Sequence, residues 1–234
     1  MEAGSVSEER GERSEQRAGT AAPHSFLLTP HSSSLTPAPA DPNVNMIRPN
    51  LDNIPDFVLP DGYGFRPLGP GDVGLWTDIW RDADPDWSIG DDLFTREFGS
   101  DWKVIGERCF LIIDSKGRAV GTNSAWFDPA FRGQDYGRVH WLAVRTAYQG
   151  KGLAKPAMSF VLRTLARWHT RCFLRTQVHR LRAIKLYLDF GFRPDVSDSQ
   201  MEQAWSYVRG RLRHPAWGAI EGRTPSDGQR RPVG

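Results

Sequence analysis

The chain has 234 residues, a formal net charge of +2 and a hydrophobic content of 39%. The near-neutral charge gives no indication of a nucleic-acid partner, and no apolar run approaches the roughly 20 residues that a membrane-spanning helix needs. The two cysteines, Cys109 and Cys172, cannot form a disulfide framework, and we interpret both as buried apolar residues. That usage fits a reducing compartment, so we expect a cytoplasmic protein with no metal site.

Residues 1–45 are rich in Ser, Glu, Arg, Ala and Pro and poor in residues that form a core, which predicts a disordered N-terminal extension. The composition changes at Met46. We predict an ordered lead-in over 46–61, a folded domain over 62–213 and a flexible tail over 214–234. Two interpretations of the extension are open: a genuine flexible tail, or a leader upstream of a biological start at Met46.

The first half of the predicted domain alternates between short strands and helices. Pro70 and Asp72 suit the first turn of a helix, and Asp114–Gly117 has the composition of a hairpin turn. In chain order the pattern predicts a strand over Gly64–Leu68, helices over Pro70–Trp80 and Asp91–Phe98, strands over Arg108–Ile113 and Ala119–Phe127, and a polar loop over Asp128–Gly137.

The most informative stretch is a strand, a glycine-rich turn and a helix. Val139–Val144 is apolar and partly β-branched, as a buried strand is. The turn Gln149–Ala154 contains glycines that let the backbone approach a ligand, and Lys151 adds a positive charge. A helix follows, with apolar residues at helical spacing: Ala157, Val161, Leu165 and Trp168. Because the N-terminus of a helix attracts anions, this arrangement predicts a phosphate or pyrophosphate site.

Three further elements are expected towards the C-terminus. Phe173–Val178 is predicted to be a strand, and Leu181–Phe190 a helix with Gly191 as its left-handed cap. Asp198–Leu212 is predicted to be a last amphipathic helix, because its apolar residues fall on one side.

Two motifs in this order resemble those of the GNAT acyltransferase superfamily. The first is the turn Gln/Arg-x-x-Gly-x-Gly/Ala, which Gln149, Gly152 and Ala154 match. The second is Ala-x-x-Leu-Tyr-x-x-x-Gly-Phe, which is matched by Ala183, Leu186, Tyr187, Gly191 and Phe192. The pair is far more specific than a lone Gly-x-Gly turn. The resemblance implies an α+β fold of three layers (α/β/α), with a mixed, mostly antiparallel central sheet flanked by helices.

The resemblance also implies acetyl-CoA as co-substrate and an amine as acceptor, in a monomer or homodimer that binds neither nucleic acid nor membrane. The pantetheine arm would pair with the backbone of Leu142, Ala143 and Val144. The pyrophosphate would lie over the N–H groups of Gln149, Gly150, Lys151, Gly152, Leu153 and Ala154. One departure concerns Arg180, which stands where the family often has Asn. Asn contacts to the cofactor are therefore not carried over.

His140 and Tyr187 are the catalytic residues that the resemblance implies. An ammonium group with a pKa near 10.4 must lose a proton before it attacks, and His140 is the expected general base. Tyr187 is the expected general acid for the leaving thiolate, and an N–H of Ala143 or Val144 would meet the oxyanion. The alternatives are a core histidine bonded to a carbonyl and a tyrosine that packs its helix onto the sheet.

The acceptor is open at this level. An acidic loop with aromatic neighbours suits a cationic amine, although such loops are more often solvated: Trp80, Asp82, Asp84, Asp86 and Trp87. Asp128, Arg132 and Asp135 are equally plausible rim residues. The leading hypothesis is an acetyltransferase that acts on a primary amine of a small molecule. A protein or peptide N-acetyltransferase and a non-catalytic CoA-binding domain are the alternatives.

Overall fold

A computed structural model describes residues 42–85, 88–90 and 92–221. Seven strands of this part of the chain form one sheet in the order β2-β3-β4-β5-β6-β1-β7. The strands are β1 (Asn43–Arg48), β2 (Tyr63–Pro67), β3 (Cys109–Asp114), β4 (Ala119–Phe131), β5 (Gln134–Val144), β6 (Cys172–Gln177) and β7 (Arg193–Pro194). Neighbouring strands are antiparallel except β5 and β6, which are parallel. The predicted mixed, mostly antiparallel sheet is confirmed.

Helices cover both faces of the sheet. They are α1 (Val73–Ala83), α2 (Leu93–Phe98), α3 (Trp102–Arg108), α4 (Ala154–Leu165), α5 (Leu181–Asp189), α6 (Ser199–Arg211) and α7 (Ala216–Glu221). Adjacent residues of β3 show the two faces, because side chains alternate along a strand. Leu111 packs into the aromatic cluster of α1, α2 and α3, whereas Ile112 packs with Ala157 of α4. Within the described residues, no helix is long and apolar enough to span a membrane.

The N-terminal boundary of the ordered chain lies earlier than predicted. β1 begins at Asn43, so the last three residues of the predicted disordered stretch 1–45 form a strand; the residues before 42 lie outside the described part. The predicted lead-in also has a larger role, because β1 lies between β6 and β7 and pairs with both. A chain that began at Met46 would lack the half of β1 that pairs with Arg175–Gln177.

The predicted loop over Asp128–Gly137 is wrong. β4 and β5 continue through it as a long hairpin, with Phe131 paired to Gln134 and Arg132-Gly133 at the tip. Its polar residues misled the prediction because most residues around the hairpin tip, 129–135, are solvent-exposed, and polar side chains do not prevent strand pairing there. The short helix α3 was also missed.

The C-terminal region is confirmed in part. The predicted last helix is present as α6, and the Asp198 carboxylate caps it by accepting the N–H of Met201 at 2.9 Å. The predicted flexible tail over 214–234 is wrong for its first residues, since α7 follows and Trp217 is buried. The indole N–H of Trp217 donates to the carbonyl of Leu212 at 2.7 Å, which ties α7 to the end of α6. Residues 222–234 lie outside the described part.

Gly191 closes the connection between α5 and β7, and we expect Gly191→Ala to cost about 1–3 kcal/mol of unfolding free energy. Its φ is +79°, and an added Cβ would lie 2.8 Å from Nη1 of the buried Arg48, whose guanidinium binds the carbonyls of Phe190 and Asp52. Urea unfolding measures the loss. Gly117→Ala is the control, because Gly117 has a φ of +75° and open space around it. If Gly191→Ala and Gly117→Ala lost the same unfolding free energy, the Arg48 side chain would have to move aside without cost.

Candidate functional site

A bulge interrupts the central strand β5 where it meets β4. Thr122 pairs with Ala143 and Ser124 with His140, so β5 carries one extra residue, and Trp141 has a φ of +49°. The hydroxyl of Thr122 donates to the Trp141 carbonyl at 2.7 Å and accepts the indole N–H of Trp80 at 3.0 Å. These buried hydrogen bonds hold the distorted backbone in place.

β5 and β6 pair at only two positions before they separate. The pairs are Gly137 with Cys172 and Arg138 with Phe173. Beyond Arg138 the strands diverge, and the backbone groups of β5 that face β6 lose their strand partner. The N–H of Arg145 donates to the Val120 carbonyl on the β4 side, so alternation turns the N–H of Val144 away from β4 and towards the opening. By the same alternation the N–H of Ala143 faces β4. Of the two expected oxyanion donors, only Val144 therefore faces the cleft.

A cavity of about 600 Å³ lies beside the C-terminal end of β5, between the turn that leads into α4 and the helix α5. Eight of the nine residues predicted to hold the cofactor line it: Leu142, Ala143, Val144, Gln149, Gly150, Gly152, Leu153 and Ala154. The exception is Lys151, whose ammonium lies 4.5 Å from the centre of the Tyr148 ring. Lys155, the second residue of α4, lines the cavity instead. The sequence predicted a positive charge at this turn, but it did not show which lysine faces the cavity.

The glycine-rich turn has the geometry of an anion cradle. Gly150 and Gly152 have φ values of +75° and +79°, which favour glycine strongly. In the described chain, the N–H groups of Gly150, Lys151, Gly152 and Leu153 donate to no backbone carbonyl. Gln149 fixes the entry to the turn: its N–H donates to Thr146 and its side-chain amide to Val144. Free amides at the start of the 12-residue helix α4 fit a pyrophosphate.

A second cavity, of about 400 Å³, adjoins the first and is polar. Trp80, Leu142, Arg180 and Tyr187 line both cavities, so the two meet at these side chains. The second cavity is further lined by Asn43, Glu97, Arg138, His140, Arg175, Thr176 and Gln177, among others. Two reactants, one in each cavity, would therefore meet beside Leu142 and Tyr187.

His140 lies in the second cavity beside a carboxylate that the sequence did not identify. Its Nε2 is 3.0 Å from Oε2 of Glu97, although the contact is too bent for a good hydrogen bond. Glu97 is held by the indole N–H of Trp141 at 3.1 Å. His140 is only 6% exposed, and it is a cavity-lining residue rather than one buried against a carbonyl. Its partner comes from α2, 43 positions earlier, which explains why the sequence pattern gave no signal for it.

Burial decides the charge states of this pair. Desolvation lowers the pKa of His140 to about 4, although the neighbouring Glu97 raises it. The contact with His140 and, less strongly, the Trp141 N–H hold the pKa of Glu97 down to about 2 in spite of partial burial. At neutral pH the imidazole is therefore uncharged and the carboxylate ionised, which leaves the imidazole free to accept a proton beside a negative charge.

Tyr187 of α5 lines both cavities, and it shares the second with His140. Burial raises the pKa of its phenol, and the charge of Arg180 only partly offsets this. The phenol is therefore protonated at neutral pH and able to donate. Its ring also packs against Phe192, 6.1 Å between centroids, so a packing role and an acid role are compatible.

Neither Asp82 nor Asp84 lines the second cavity, although Asp84 lines the first. Asp82 accepts the N–H of Thr146 at 2.6 Å, and Asp84 forms an ion pair with Arg180. Asp86 and Trp87 lie outside the described residues.

The three expected rim residues, Asp128, Arg132 and Asp135, belong to the β4–β5 hairpin and do not line the second cavity. Arg132 pairs with Asp195, and Asp135 contacts His169. Asp128 accepts the N–H of Ala130. Each of these carboxylates and this guanidinium therefore has a local structural role in the described chain.

Comparisons with known proteins agree with this geometry. A family model described as "Acetyltransferase (GNAT) family" matches residues 75–192, about half of the chain. A GCN5-related N-acetyltransferase from Sphaerobacter thermophilus is similar in structure, with a TM-score of 0.53 and 21% identity over 65% of this chain and 48% of that one. A GNAT-family acetyltransferase from Colwellia psychrerythraea has a TM-score of 0.50 and 14% identity over 65% of this chain and 52% of that one.

No curated protein sequence matches the chain significantly. The chain spans about half the length of these two solved structures, and at such identities they show the fold alone. The matched residues 75–192 include the glycine-rich turn and the second motif, which ends at Phe192. The chain belongs to the GNAT acetyltransferase family.

Proposed function

We propose that the protein transfers an acetyl group from acetyl-CoA to a primary amine of a small molecule by direct attack. The observation that supports this is the meeting of two cavities of different character. One has a cradle of free amides and an apolar channel along β5, and the other holds an uncharged imidazole beside a carboxylate. Leu142 and Tyr187 line both, at the place where an amine and a thioester would meet.

In this proposal the first cavity holds the thioester and its residues position the carbonyl. Free N–H groups of the turn bind the pyrophosphate, and the backbone of Leu142–Val144 binds the pantetheine arm. The N–H of Val144 faces the cleft and donates to the oxygen that becomes negative during attack. One such donor contributes about 10²–10³-fold to the rate.

The second cavity prepares the amine. His140 accepts a proton from the ammonium group, and Glu97 stabilises the imidazolium that forms. The amine nitrogen then forms a bond to the thioester carbon, and the carbon–sulfur bond breaks. Tyr187 gives its phenolic proton to the leaving thiolate and regains one from solvent. The attacking nitrogen loses its second proton to solvent, and the His140 imidazolium then releases its own. The products are therefore an amide, CoA as its thiol and one net proton from the original ammonium group.

The size of the second cavity, about 400 Å³, favours a small amine over a protein chain. A CoA-binding domain without catalysis would have no need for an imidazole and a carboxylate buried together beside that cavity. The experiment is a thiol-release assay with acetyl-CoA against a panel of small amines and a peptide with a free N-terminus. Thiol release with the peptide but with none of the small amines would favour a protein acceptor. If neither the peptide nor any small amine supports release, catalysis is contradicted.

Tyr187→Phe should lower kcat by about 10²-fold, because the thiolate would leave without its proton donor. The ring and its contact with Phe192 are retained, so the melting temperature should change little. Tyr207→Phe on α6, outside both cavity linings, is the control. Normal turnover by Tyr187→Phe would leave this tyrosine with a packing role only.

A further inference from the structure

The charges of the second cavity do not match a purely cationic acceptor. Arg138 of β5 and Arg175 of β6 both line it, and Glu97 is the carboxylate that lines it with them. Arg180, the third arginine of the lining, is neutralised by its ion pair with Asp84. Since His140 is uncharged at neutral pH, the described lining carries more positive than negative charge.

Arg138 is also under-bonded. Its Nε is buried without a hydrogen-bond partner in the described chain, and its guanidinium lies 5.6 Å from the centre of the Phe173 ring. No carboxylate of the described residues forms an ion pair with Arg138 or Arg175. Burial is the main cause that lowers the pKa of Arg138; the charge of Arg175 lowers it further, while Glu97 and Asp128 raise it. Buried N–H groups of a guanidinium normally donate to a hydrogen-bond acceptor, so an oxygen of a bound ligand would supply the acceptor that Arg138 lacks.

We propose that the second cavity selects amines that carry an anionic group, a carboxylate or a phosphate, on the same molecule, with Arg138 and Arg175 as the residues that bind this group. A guanidinium binds carboxylate and phosphate oxygens with two parallel N–H donors, which gives orientation as well as affinity. This inference rests on the proposed acetyl transfer.

The spacing along β5 limits the size of such a substrate. Arg138 and His140 are two residues apart and both line the cavity, so their Cα atoms are separated by roughly 7 Å. An amine at His140 and an anionic group at Arg138 are therefore a few bonds apart. That distance fits a small amino acid or an aminoalkyl phosphate, and the arginines repel polyamines.

The test compares matched amines in the thiol-release assay. The pairs are γ-aminobutyrate with its amide, and O-phosphoethanolamine with ethanolamine; the first pair tests a carboxylate and the second a phosphate. We expect kcat/KM to be roughly 10–100-fold higher for the anionic member of at least one pair, as loss of a charged hydrogen-bond pair implies. Arg138→Gln and Arg175→Gln should each reduce that ratio at least about fivefold, and Arg138→Lys should restore part of it.

Comparing ratios between variants removes differences in the pKa of the amines. Arg171→Gln, outside both linings, is the control and should leave the ratio unchanged. Arg175 is exposed, so its variant tests the proposal even if Arg138→Gln unfolds. The anionic-acceptor proposal would be overturned if the anionic and neutral amines of each pair had equal kcat/KM and if Arg138→Gln and Arg175→Gln left that ratio unchanged. The proposed acetyl transfer would still stand. If none of the amines supports thiol release, both the anionic-acceptor proposal and the proposed acetyl transfer are overturned.

Discussion

Replacing His140 with Gln should lower kcat/KM about 10²-fold at pH 7, the lower end of the range for a positioned general base, because a pKa of about 4 makes the imidazole a weak base. Gln keeps a polar side chain of similar size in the cavity but cannot accept a proton. The proposed acetyl transfer then depends on the small fraction of amine that is already neutral. The thiol-release assay measures the loss, and CoA binding by calorimetry should be unchanged because His140 does not line the first cavity.

The pH profile gives this prediction its second readout. Since burial lowers the pKa of His140 to about 4, the wild-type rate should lose its base as the pH falls through about 4, not through 6.5 as an unperturbed imidazole would. In His140→Gln this acid limb disappears. Charged groups around the imidazole are Glu97 from α2 and Arg138 from β5 itself, and the value of about 4 includes both. A midpoint near 6.5 in the wild type would contradict the burial argument.

Stability should follow the same titration. The folded-state pKa of His140 lies below that of the unfolded chain, so between pH 6.5 and about 4 the unfolded state binds the extra proton. Wild-type stability should therefore rise as the pH increases from 4 to 6.5, by about 2–3 kcal/mol from this group, and His140→Gln should lose that component. Glu97 adds a lower window: its stabilisation is complete above about 4.5 and is lost as the pH falls towards 2.

His169→Gln is a matched control for both readouts. The side chain of His169 is as little exposed as that of His140, at 6%, and its Nδ1 also lies 3.0 Å from a carboxylate, that of Asp135. It lines neither cavity. Its replacement should leave kcat/KM and the acid limb of the rate unchanged. A similar loss of rate in the two variants would mean that His140 acts through the fold and not on the amine.

Gly150→Asp should weaken CoA binding by about 10²-fold or more, because the new carboxylate would stand where the pyrophosphate approaches the free amides. Like charges placed together across an interface cost several kcal/mol. An added Cβ at Gly150 meets no atom within 4 Å, so the side chain has room and the fold should be retained. Calorimetric titration with CoA measures the affinity, and KM for acetyl-CoA should rise in parallel.

Gly117→Asp separates this effect from backbone strain. Gly117 has the same φ of +75° and the same open surroundings, but it lies in the turn between β3 and β4, away from both cavities. The two variants should lose similar unfolding free energy, and only Gly150→Asp should lose CoA affinity. Unchanged affinity in Gly150→Asp would show that the turn between β5 and α4 does not hold the pyrophosphate.

Local patterns predicted the elements whose residues are close in the sequence. The turn Gln149–Ala154 needed only its glycines and the apolar spacing of α4, and both strand and helix are present as expected. The same holds for α6, whose Asp198 cap and apolar face are contained in 15 residues. The prediction of disorder at Asn43–Asn45 failed because the pairing partners of this segment are distant in the sequence. β1 is a strand because it fits between β6 and β7, more than 120 residues later, and its own composition did not identify it.

The site divides in the same way. His140 and Tyr187 were predicted from the sequence as catalytic residues, and both line the second cavity. The face of β5 that His140 occupies depends on the bulge at Trp141, and its neighbour Glu97 comes from a separate helix. Asp82 and Asp84 were expected at the acceptor, and only the folded chain shows them bound to Thr146 and Arg180.

By itself, then, the sequence determined the family and the glycine-rich turn between β5 and α4, because both depend on continuous segments with glycines at set positions. The tertiary structure alone decided the charge state of His140, the ionised neighbour at Glu97 and the arginines of the second cavity. Those properties arise from burial and from distances between side chains of different elements. Neither is present until the chain has folded and α2 has packed against β5.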